Sequence, residues 1–236
     1  MVLSATEWQL IRSSKIFRNL ADRQLDVIVQ AARTYRVSRR DYFFHQGERA
    51  TTFYVVLHGN VRLAQLTPEG RQVIIHYLGP GGVMGAVVVF CNADFPASAE
   101  AATDSVALGW DYEVGEALME QFPRPPINST ELVAARFWEL QERYTQLATE
   151  RVERRVARAI LRLSQQPAGR NGGQNHRPIK ITRQDIAEMT GTTLFTVSRI
   201  CSRWGEKGFL NTGREQISIL NLAELTAIAE DLSPSG

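Results

Sequence analysis

The chain has 236 residues, of which 44% are hydrophobic and 22% are charged, a composition typical of a folded globular protein. This excludes a disordered, fibrous or disulfide-stabilised chain, and the length allows one large domain or two ordinary ones. The charge is unevenly distributed: 13 basic and 8 acidic residues lie from Arg151 onward, against 14 basic and 17 acidic residues before it. We therefore expect a slightly acidic module joined to a basic one that meets a polyanion.

The N-terminal residues predict neither export nor membrane insertion. They lack the charged and apolar segments of a signal peptide, and the longest apolar stretch, residues 83–91, is less than half of a bilayer span. The two cysteines, Cys91 and Cys201, match no disulfide or metal spacing. We therefore expect a cytoplasmic protein.

Residues 4–35 predict short helices, because apolar side chains recur there at helical intervals. From Tyr35 onward, short β-branched and aromatic runs alternate with glycine-containing turns. The predicted strands span residues 41–44, 52–57, 61–66, 73–78, 86–90 and 106–110. Short strands with regularly spaced turns are typical of an antiparallel roll or barrel.

A long helix is predicted after the prolines at 123–126. Its apolar residues are spaced four and three positions apart, as in a coiled-coil seam: Val133, Phe137, Leu140, Tyr144 and Leu147. The seam is narrow and has polar neighbours. This favours pairing with a second copy of the helix over packing on the chain's own barrel, so we predict a homodimer.

The C-terminal part predicts a helical pair followed by a hairpin. An amphipathic helix begins at Val152 and is followed by a Gly-, Pro- and Asn-rich loop over residues 165–177. Thr182 can then cap a first helix, Gly191 can form a sharp turn, and Thr192 or Thr193 can cap a second helix. Residues 209–220 predict a two-stranded wing. The second helix places four apolar residues on one side: Val197, Ile200, Cys201 and Trp204.

One packed face and one free face are the layout of a helix-turn-helix, whose second helix enters the major groove of DNA. On the free face Arg199 can contact guanine in bidentate fashion, and Ser198 can form a hydrogen bond with a base edge. The residues predicted to hold phosphates are Thr182, Gln184, Thr193, Thr196 and Arg203. The alternative is a helical hairpin that only packs, but the positive charge of this part favours DNA.

Three stretches of the chain resemble the CRP/FNR family of bacterial transcription regulators. They are residues 44–48 (FHQGE) with 53–61 and 68–70, residues 152–167 with 179–186, and residues 196–199 (TVSR). The resemblance covers nearly the whole chain and implies an α+β fold. It implies an antiparallel, cyclic-nucleotide-type effector roll with N-terminal helices over residues 1–127, a dimerisation helix over 128–150 and a winged helix-turn-helix over 151–236.

The resemblance also implies partners and a mode of action. Family members are homodimers that bind near-palindromic sites in promoters, and they recruit or obstruct RNA polymerase. The loop over residues 168–176 occupies the place where activators of the family touch the polymerase. We therefore expect double-stranded DNA and RNA polymerase as partners of this chain.

The effector site departs from that of the cyclic-AMP-binding members. Those members carry a Gly-Glu pair and an Arg-Ser pair, which fall here on Gly-Ala at 85–86 and Ala-Ser at 97–98. The carboxylate for the ribose hydroxyl and the guanidinium for the cyclic phosphate are therefore missing. The Thr-Ser pair that meets adenine falls on Leu-Gln at 140–141. Because an uncompensated phosphate is costly to bury, we predict that the effector is not cyclic AMP.

Metal cofactors of the family are also constrained. The oxygen-sensing FNR type holds an iron–sulfur cluster on cysteines near its N-terminus, and this chain has none before Cys91, so we expect no such cluster. Haem stays open as a gas-sensing alternative, with candidate ligands His45, His58, His76 and Cys91. Structural roles explain His45 and His58 better, and Cys91 is expected to be a small buried hydrophobe. The residues proposed to line an effector pocket are His76, Met84, Cys91 and Gln141.

The recognition helix departs from the FNR pattern at one position. FNR-like members place Glu, which accepts from cytosine, three residues before their Ser-Arg pair; here that residue is Phe195. A phenyl ring cannot accept a hydrogen bond from cytosine but can contact a thymine methyl group. The TTGA-type half-site expected from Ser198 and Arg199 should therefore change at one base pair, at a cost or gain of about 1–3 kcal/mol.

These patterns predict a dimeric, sequence-specific transcription regulator under allosteric control by an effector. Within the same family, the alternatives are a constitutive regulator that needs no effector and a haem-based gas sensor. A remote alternative is an enzyme with a regulatory roll. The sequence shows no Ser/His/Asp array, metal cluster or phosphate loop, so we expect no catalytic residues and no enzymatic activity.

Overall fold

The computed structural model describes residues 3–165 and 178–232, which form two compact units. The first unit comprises the described residues up to Arg71 together with Ile75–Glu139. The second comprises Gln72–Ile74 and the described residues from Leu140 onward. The first is rich in antiparallel strands and the second in helices, so the predicted α+β class is confirmed.

The N-terminal residues form short helices, as predicted. These are α1 (Ala5–Ser13), a 3₁₀ turn (Lys15–Phe17) and α2 (Asp22–Gln30). Each of the three contributes one fully buried side chain to the unit, namely Ile11, Ile16 and Leu25. Burial of such side chains contributes about 1.5–3 kcal/mol each, so this segment is part of the core of the first unit.

Two four-stranded sheets form the roll. The strands are β1 (Arg33–Val37), β2 (Tyr42–Phe44), β3 (Thr52–His58), β4 (Val61–Leu66), β5 (Gln72–Leu78), β6 (Val83–Met84), β7 (Ser98–Ala101) and β8 (Ser105–Asp111). One sheet has the order β1-β8-β3-β6 and the other β2-β7-β4-β5. The β1–β8, β3–β8 and β4–β7 pairs are antiparallel, which confirms the predicted roll.

The predicted strand over residues 86–90 is wrong, because this segment is helix α3 (Ala86–Phe90). Its three valines favour a strand locally, but Gly85 takes a left-handed conformation at φ 79° and turns the chain. The amide of Val89 then donates to the carbonyl of Gly85, and the Val89 side chain is buried. The sequence pattern does not predict three further strands. Of these, β1 contains two arginines, β6 has only two residues, and β7 is rich in alanine.

Trp110 joins the helices to the sheet in the core of the first unit. Its ring lies edge-on to Phe17, at a centroid distance of 5.2 Å, and stacks on Phe53 at 5.1 Å. Its buried Nε1–H donates to the carbonyl of Ile28 in α2 at 2.7 Å. The indole therefore buries a large apolar surface while its polar group stays satisfied.

The carboxylate of Glu7 caps the start of α1 and links this helix to the end of β3. The Ser4 hydroxyl and amide donate to Glu7 Oε2 at 2.7 and 2.8 Å, and His58 Nε2 lies 2.9 Å from Glu7 Oε1. These contacts, chiefly the Ser4 hydrogen bonds, lower the pKa of Glu7 from 4.5 to about 2. The carboxylate therefore stabilises the fold only while it is ionised.

We expect Glu7→Gln to lower the stability of the protein in a pH-dependent way. A depressed carboxyl pKa contributes stability above the unfolded-state pKa, and this contribution is lost as the pH falls through the folded-state value. The difference between wild type and variant in urea midpoint should be largest above about pH 4.5 and should disappear towards pH 2. Glu69→Gln, in an exposed turn, is the matched control and should give no such difference. A constant difference across the range would contradict the assignment.

The predicted long helix is α5 (Arg124–Thr149), which follows α4 (Tyr112–Gln121). It contributes residues to both units. All five residues of the predicted seam are exposed by 42 to 74%: Val133, Phe137, Leu140, Tyr144 and Leu147. Trp138, which the prediction omitted, is 68% exposed beside Phe137. The helix is confirmed, and its large apolar side chains at the predicted seam are exposed in the single chain.

The second unit contains α6 (Val152–Ser164), β9 (Ile179–Lys180), α7 (Arg183–Thr190), α8 (Leu194–Glu206), β10 (Leu210–Gly213), β11 (Gln216–Ile219) and α9 (Leu222–Glu230). The amphipathic helix predicted from Val152 is α6, which buries Val156, Ile160 and Leu163. The predicted wing is a hairpin of β10 and β11, but β9 adds a third strand to it, in the order β10-β11-β9. Most of the predicted loop, residues 166–177, lies outside the described residues.

Within the part of the chain that the structure describes, no helix is both long enough and apolar enough to cross a membrane.

Candidate nucleic-acid interface

The first helix of the interface, α7, is fixed at its start by a capping box. The amide of Asp185 donates to Thr182 Oγ1, and the amide of Thr182 donates to Asp185 Oδ2, each at 3.0 Å. The next two residues, Ile186 and Ala187, are buried. These reciprocal bonds satisfy amides that a helix start otherwise leaves unpaired, and they confirm Thr182 as the predicted cap.

The turn between α7 and α8 requires a glycine. Gly191 has φ 62° and ψ 43°, a left-handed conformation in which a side chain is strained. A β-carbon here would also lie 3.1 Å from Leu147 Cδ2 at the end of α5. The carbonyl of Ala187 accepts from the amides of Gly191 and Thr192, which ends α7 and reverses the chain. The predicted turn is therefore confirmed.

Helix α8 has one packed face and one free face, as the sequence predicts. Thr193 caps it, because its hydroxyl accepts from the amide of Thr196 at 3.2 Å. The four predicted inner residues are all buried: Val197, Ile200, Cys201 and Trp204. This burial fixes the rotation of the helix and directs the opposite face outward.

The predicted base-reading residues lie on the outward face near the start of α8. Phe195 is 76% exposed, Arg199 is exposed and Ser198 is half-buried. Residues four positions apart are neighbours on a helix surface, so Phe195 and Arg199 share one face. An exposed guanidinium can donate to a guanine, and an exposed aromatic ring on the same face can contact a neighbouring base.

The residues predicted to hold phosphates differ in their exposure and in the hydrogen bonds that their side chains form within the protein. Thr193 Oγ1 and Thr196 Oγ1 lie 2.9 Å apart and form a hydrogen bond with each other. Gln184 is exposed, and its Nε2 donates to Glu188 Oε1 at 2.7 Å. Thr182 is half-buried in its capping box. These contacts hold the side chains near the helix starts, where backbone amides also favour anions.

Arg203 is less free than the sequence suggests. Its Nη2 lies 2.5 Å from Glu153 Oε1, and the indole Nε1–H of Trp204 donates to the same carboxylate oxygen at 3.0 Å. Glu153 lies 50 positions earlier in the chain, so no local pattern predicts this pairing. A phosphate near Arg203 would compete with a carboxylate that already holds the guanidinium.

The wing forms one side of a groove that the sequence prediction left out. Side chains from three elements line this groove, among them Arg183 from α7, Leu194 from α8 and Arg214 from the wing turn. Arg183 Nη2 donates to the hydroxyl of Thr212 on β10 at 3.2 Å, which ties α7 to the wing. The sequence signal for this groove is the Thr-Gly-Arg run at 212–214, which lies within the predicted wing over residues 209–220.

The residues proposed for an effector pocket lie in different environments. Met84 is buried in β6, whereas Cys91 follows α3 and is exposed, so the expectation that Cys91 is buried is wrong. The chain reverses direction there, since Asn92 has φ 51°. His76 Nδ1 lies 2.9 Å from Arg136 Nη1. Gln141 is exposed on α5 and belongs to the other unit.

The histidines considered as haem ligands each contact other side chains. His58 contacts Glu7 as described above, and His45 lies against the ring of Tyr42 at a centroid distance of 4.3 Å. His76 contacts Arg136 and lies 3.7 Å from Glu139 Oε1. Among residues 3–165 and 178–232, no cluster of three or more His, Cys, Asp or Glu side chains could hold a metal ion. Haem iron needs only one or two axial ligands, so the absorbance spectrum of the purified protein has to decide the gas-sensing alternative.

The two cysteines should differ sharply in reactivity. Cys201 is fully buried, and burial raises the pKa of its thiol, although the charge of Arg183 opposes this shift. Because the thiolate is the reactive form, we expect a thiol reagent to modify exposed Cys91 in the native protein and Cys201 only after unfolding. The Cys91→Ser variant should therefore show no labelling until denaturant is added. Rapid labelling of that variant under native conditions would contradict the packing of α8.

Two domain models match the chain. Residues 35–122 match the cyclic nucleotide-binding domain, and residues 154–228 match the Crp-like helix-turn-helix domain. The first match covers the strands of the roll, and the second covers the helix pair and the wing described above. Both agree with the resemblance that the sequence motifs carry.

Known relatives agree over nearly the full length. The cyclic AMP receptor protein of Thermus thermophilus is 28% identical over 224 residues, which are 94% of this chain and 100% of that protein. The nitrogen fixation regulation protein FixK of Bradyrhizobium diazoefficiens is 26% identical over 219 residues, 93% of this chain and 91% of that protein. The structure of FixK2 from Bradyrhizobium japonicum shares the fold at a TM-score of 0.74 and 22% identity, covering 87% of this chain and 99% of that one. The chain belongs to the CRP/FNR family of DNA-binding transcription regulators.

Proposed function

We propose that this regulator acts as a homodimer that inserts one α8 helix into each half of a near-palindromic site in double-stranded DNA. The observation that carries the proposal is the outward face of α8, where Phe195 and Arg199 are exposed while the opposite face is buried. A two-fold dimer places two identical recognition helices on one side of the duplex. The seam of α5 supports the dimer, because its five apolar side chains are exposed in the single chain.

In this proposal, side chains of α8 read the bases. Arg199 donates two hydrogen bonds to the O6 and N7 atoms of guanine, Ser198 forms a hydrogen bond with a neighbouring base edge, and Phe195 contacts a pyrimidine. The phosphate contacts set the register of the helix on the duplex. They come from the starts of the two helices, at Thr182, Gln184, Thr193 and Thr196. Arg203, further along α8, adds a phosphate contact only when the phosphate displaces Glu153 from its guanidinium.

Selection of binding sites from random-sequence DNA tests this proposal. We expect the full chain to enrich two inverted half-sites with centres about 10 base pairs apart, one turn of the duplex. Each half-site should contain a guanine whose replacement weakens binding. Enrichment of a single asymmetric half-site, or of no sequence at all, would contradict the proposal.

We also propose that α5 passes an effector signal to the DNA-binding surface. Within the second unit, Leu147 at the end of α5 abuts Gly191 in the turn between α7 and α8. Arg155 of α6 strengthens this link, since its Nη1 donates to the carbonyl of Glu150 at 2.7 Å and its Nε to the carbonyl of Thr190 at 3.1 Å. A shift of α5 would therefore move the turn and change the spacing of the two recognition helices.

We propose that the effector differs from cyclic AMP. Where the cyclic-AMP-binding members carry the glutamate and the arginine of their two pairs, this chain has Ala86 and Ala97, both buried. Phe95 stacks on Phe44 at a centroid distance of 3.7 Å, and a β-carbon on Gly85 would lie 3.1 Å from the Phe95 ring. A cyclic phosphate here would meet apolar atoms in place of a balancing cation, which is unfavourable.

Two measurements separate an effector-controlled regulator from a constitutive one. The first is the absorbance of the purified protein in the Soret region, which reports a bound haem. The second is a thermal-shift screen against cyclic nucleotides and cyclic dinucleotides. We expect no stabilisation by cyclic AMP. A protein that shows no chromophore, responds to no effector and binds its operator fully as purified would support the constitutive alternative.

We propose that the protein works in the cytoplasm, has a regulatory role without catalysis, and contacts RNA polymerase near its DNA site. The loop over residues 168–176, to which the family resemblance assigns polymerase contact, lies outside the described residues. Deletion of this loop should leave DNA binding intact and change transcription from a target promoter in vitro.

A further inference from the structure

Phe195 is the most exposed large apolar side chain among the described residues, at 76%. It is the second residue of α8, and the residue before it, Leu194, is also exposed, at 47%. Single exposed hydrophobic residues are common on protein surfaces and need no explanation by themselves. This one lies on the face of a recognition helix in the basic part of the chain, beside Arg199, so its surroundings in the bound state are base edges.

The hydroxyl groups next to Phe195 in the sequence belong to Thr193 and Thr196, which the proposed function assigns to phosphates and not to bases. The hydroxyls of Thr193 and Thr196 lie 2.9 Å apart and bond to each other, and Thr193 Oγ1 also accepts from the amide of Thr196. Ser198 lies one turn further along and is half-buried. The atoms that α8 presents to a base at the Phe195 position are therefore aromatic carbons, which neither donate to a carbonyl nor accept from an amino group.

Only one feature of a pyrimidine in the major groove suits such a surface. Thymine presents a carbonyl O4 and a methyl group at C5, and cytosine presents an amino group at N4 and a bare C5. A phenyl ring gains van der Waals contact with the methyl group. It forms no hydrogen bond, so it cannot distinguish the carbonyl O4 of thymine from the amino N4 of cytosine. 5-Methylcytosine carries the same methyl group at the same position as thymine.

We infer that Phe195 reads one pyrimidine of each half-site through its 5-methyl group alone, so that thymine and 5-methylcytosine are accepted alike and unmethylated cytosine is disfavoured. The inference deepens the proposed function and rests on it. It makes cytosine C5 methylation a second input to this regulator, because methylation of one cytosine creates the contact that thymine otherwise supplies. Arg199, on the same face, reads a guanine independently of this methyl group.

The test uses the operator selected by the wild-type chain and duplexes in which one pyrimidine at a time is changed. Deoxyuridine replaces each thymidine to remove its methyl group, and 5-methyldeoxycytidine replaces each deoxycytidine to add one. Burying one methylene-sized group changes affinity by about fourfold. Removing or adding the methyl group in both half-sites of the palindrome should therefore change the affinity for DNA by about 15-fold. At one position per half-site, removal of the methyl should weaken binding and its addition to cytosine should strengthen it.

Two variants of Phe195 and one control variant test whether the methyl dependence comes from the Phe195 ring. Phe195→Ala should abolish the methyl dependence at that position. Phe195→Glu should reverse it in favour of cytosine, because a carboxylate accepts from the N4 amino group. Leu222→Ala, an exposed leucine on α9, is the matched control and should keep the wild-type profile.

The outcomes separate this inference from the proposed function. If the chain selects no operator, both are wrong. If it selects an operator but no pyrimidine shows methyl dependence, or if the dependence persists unchanged in Phe195→Ala, the proposed function stands and the inference is overturned.

Discussion

Replacing Arg199 by alanine is expected to lower affinity for the selected operator roughly 30- to 20,000-fold, because each bidentate contact is worth about 1–3 kcal/mol and a dimer makes two. Affinity for unrelated DNA should fall far less, since it depends mainly on phosphate contacts. Arg199 is exposed, so its removal should leave folding and dimerisation unchanged. Competition binding with operator and non-specific duplexes measures both affinities.

Arg199→Lys is the matched control for charge. Lysine keeps the positive charge but lacks the planar fork that donates two parallel hydrogen bonds. We expect it to retain non-specific affinity and to recover only a small part of the specific affinity. A lysine variant that binds the operator as well as the wild type, or an alanine variant that keeps its site preference, would show that Arg199 does not read guanine.

Leu140→Asp is expected to convert the protein from dimer to monomer. Leu140 lies at the centre of the predicted seam and is 60% exposed in the single chain. In a two-fold seam the substitution would bring two carboxylates together in an apolar interface, which costs several kcal/mol per buried ion. We expect dimerisation to weaken by about 100-fold or more, which sedimentation equilibrium measures directly.

The control for this variant is Ala135→Asp, which introduces the same residue at an exposed position of α5 away from the seam spacing. It should remain dimeric. Operator affinity should fall in Leu140→Asp and stay high in Ala135→Asp, because a monomer holds one half-site at a time. A Leu140→Asp protein that is still dimeric would mean that α5 does not form the dimer interface.

The helix-turn-helix could be predicted almost residue by residue, because its determinants are local. The caps at Thr182 and Thr193 and the left-handed Gly191 each act within about one helical turn. The inner face of α8 follows from helical periodicity alone, and Cys201 falls on it as expected. Capping chemistry and periodicity are short-range properties that the sequence displays directly.

The roll was less predictable, because its strands depend on distant partners. Residues 86–90 contain three valines yet form α3, while β7 (Ser98–Ala101) contains no β-branched residue and still pairs with β2 and β4. Glu100 on β7 is buried only because Arg62 on β4 donates to both of its carboxylate oxygens, at 3.0 and 2.7 Å. Tertiary context overrides local propensity in such strands.

Some side chains of the site escaped prediction for the same reason. The pairing of Arg203 with Glu153 joins α8 to α6, and the contact of Arg183 with Thr212 joins α7 to the wing. The exposure of Cys91 depends on where the chain turns after α3. None of these contacts leaves a periodic or capping pattern in the sequence, so they become visible only once the elements are assembled.

The most direct test of the central claim is a footprint of the full-length protein on fragments of the genome from which it comes, as purified and with candidate nucleotides. We expect protection of a near-palindromic sequence whose two halves lie about one helical turn apart on one face of the duplex. This protection should disappear with Arg199→Ala and should weaken with Leu140→Asp. A protein that protects no palindrome under any of these conditions would contradict the account.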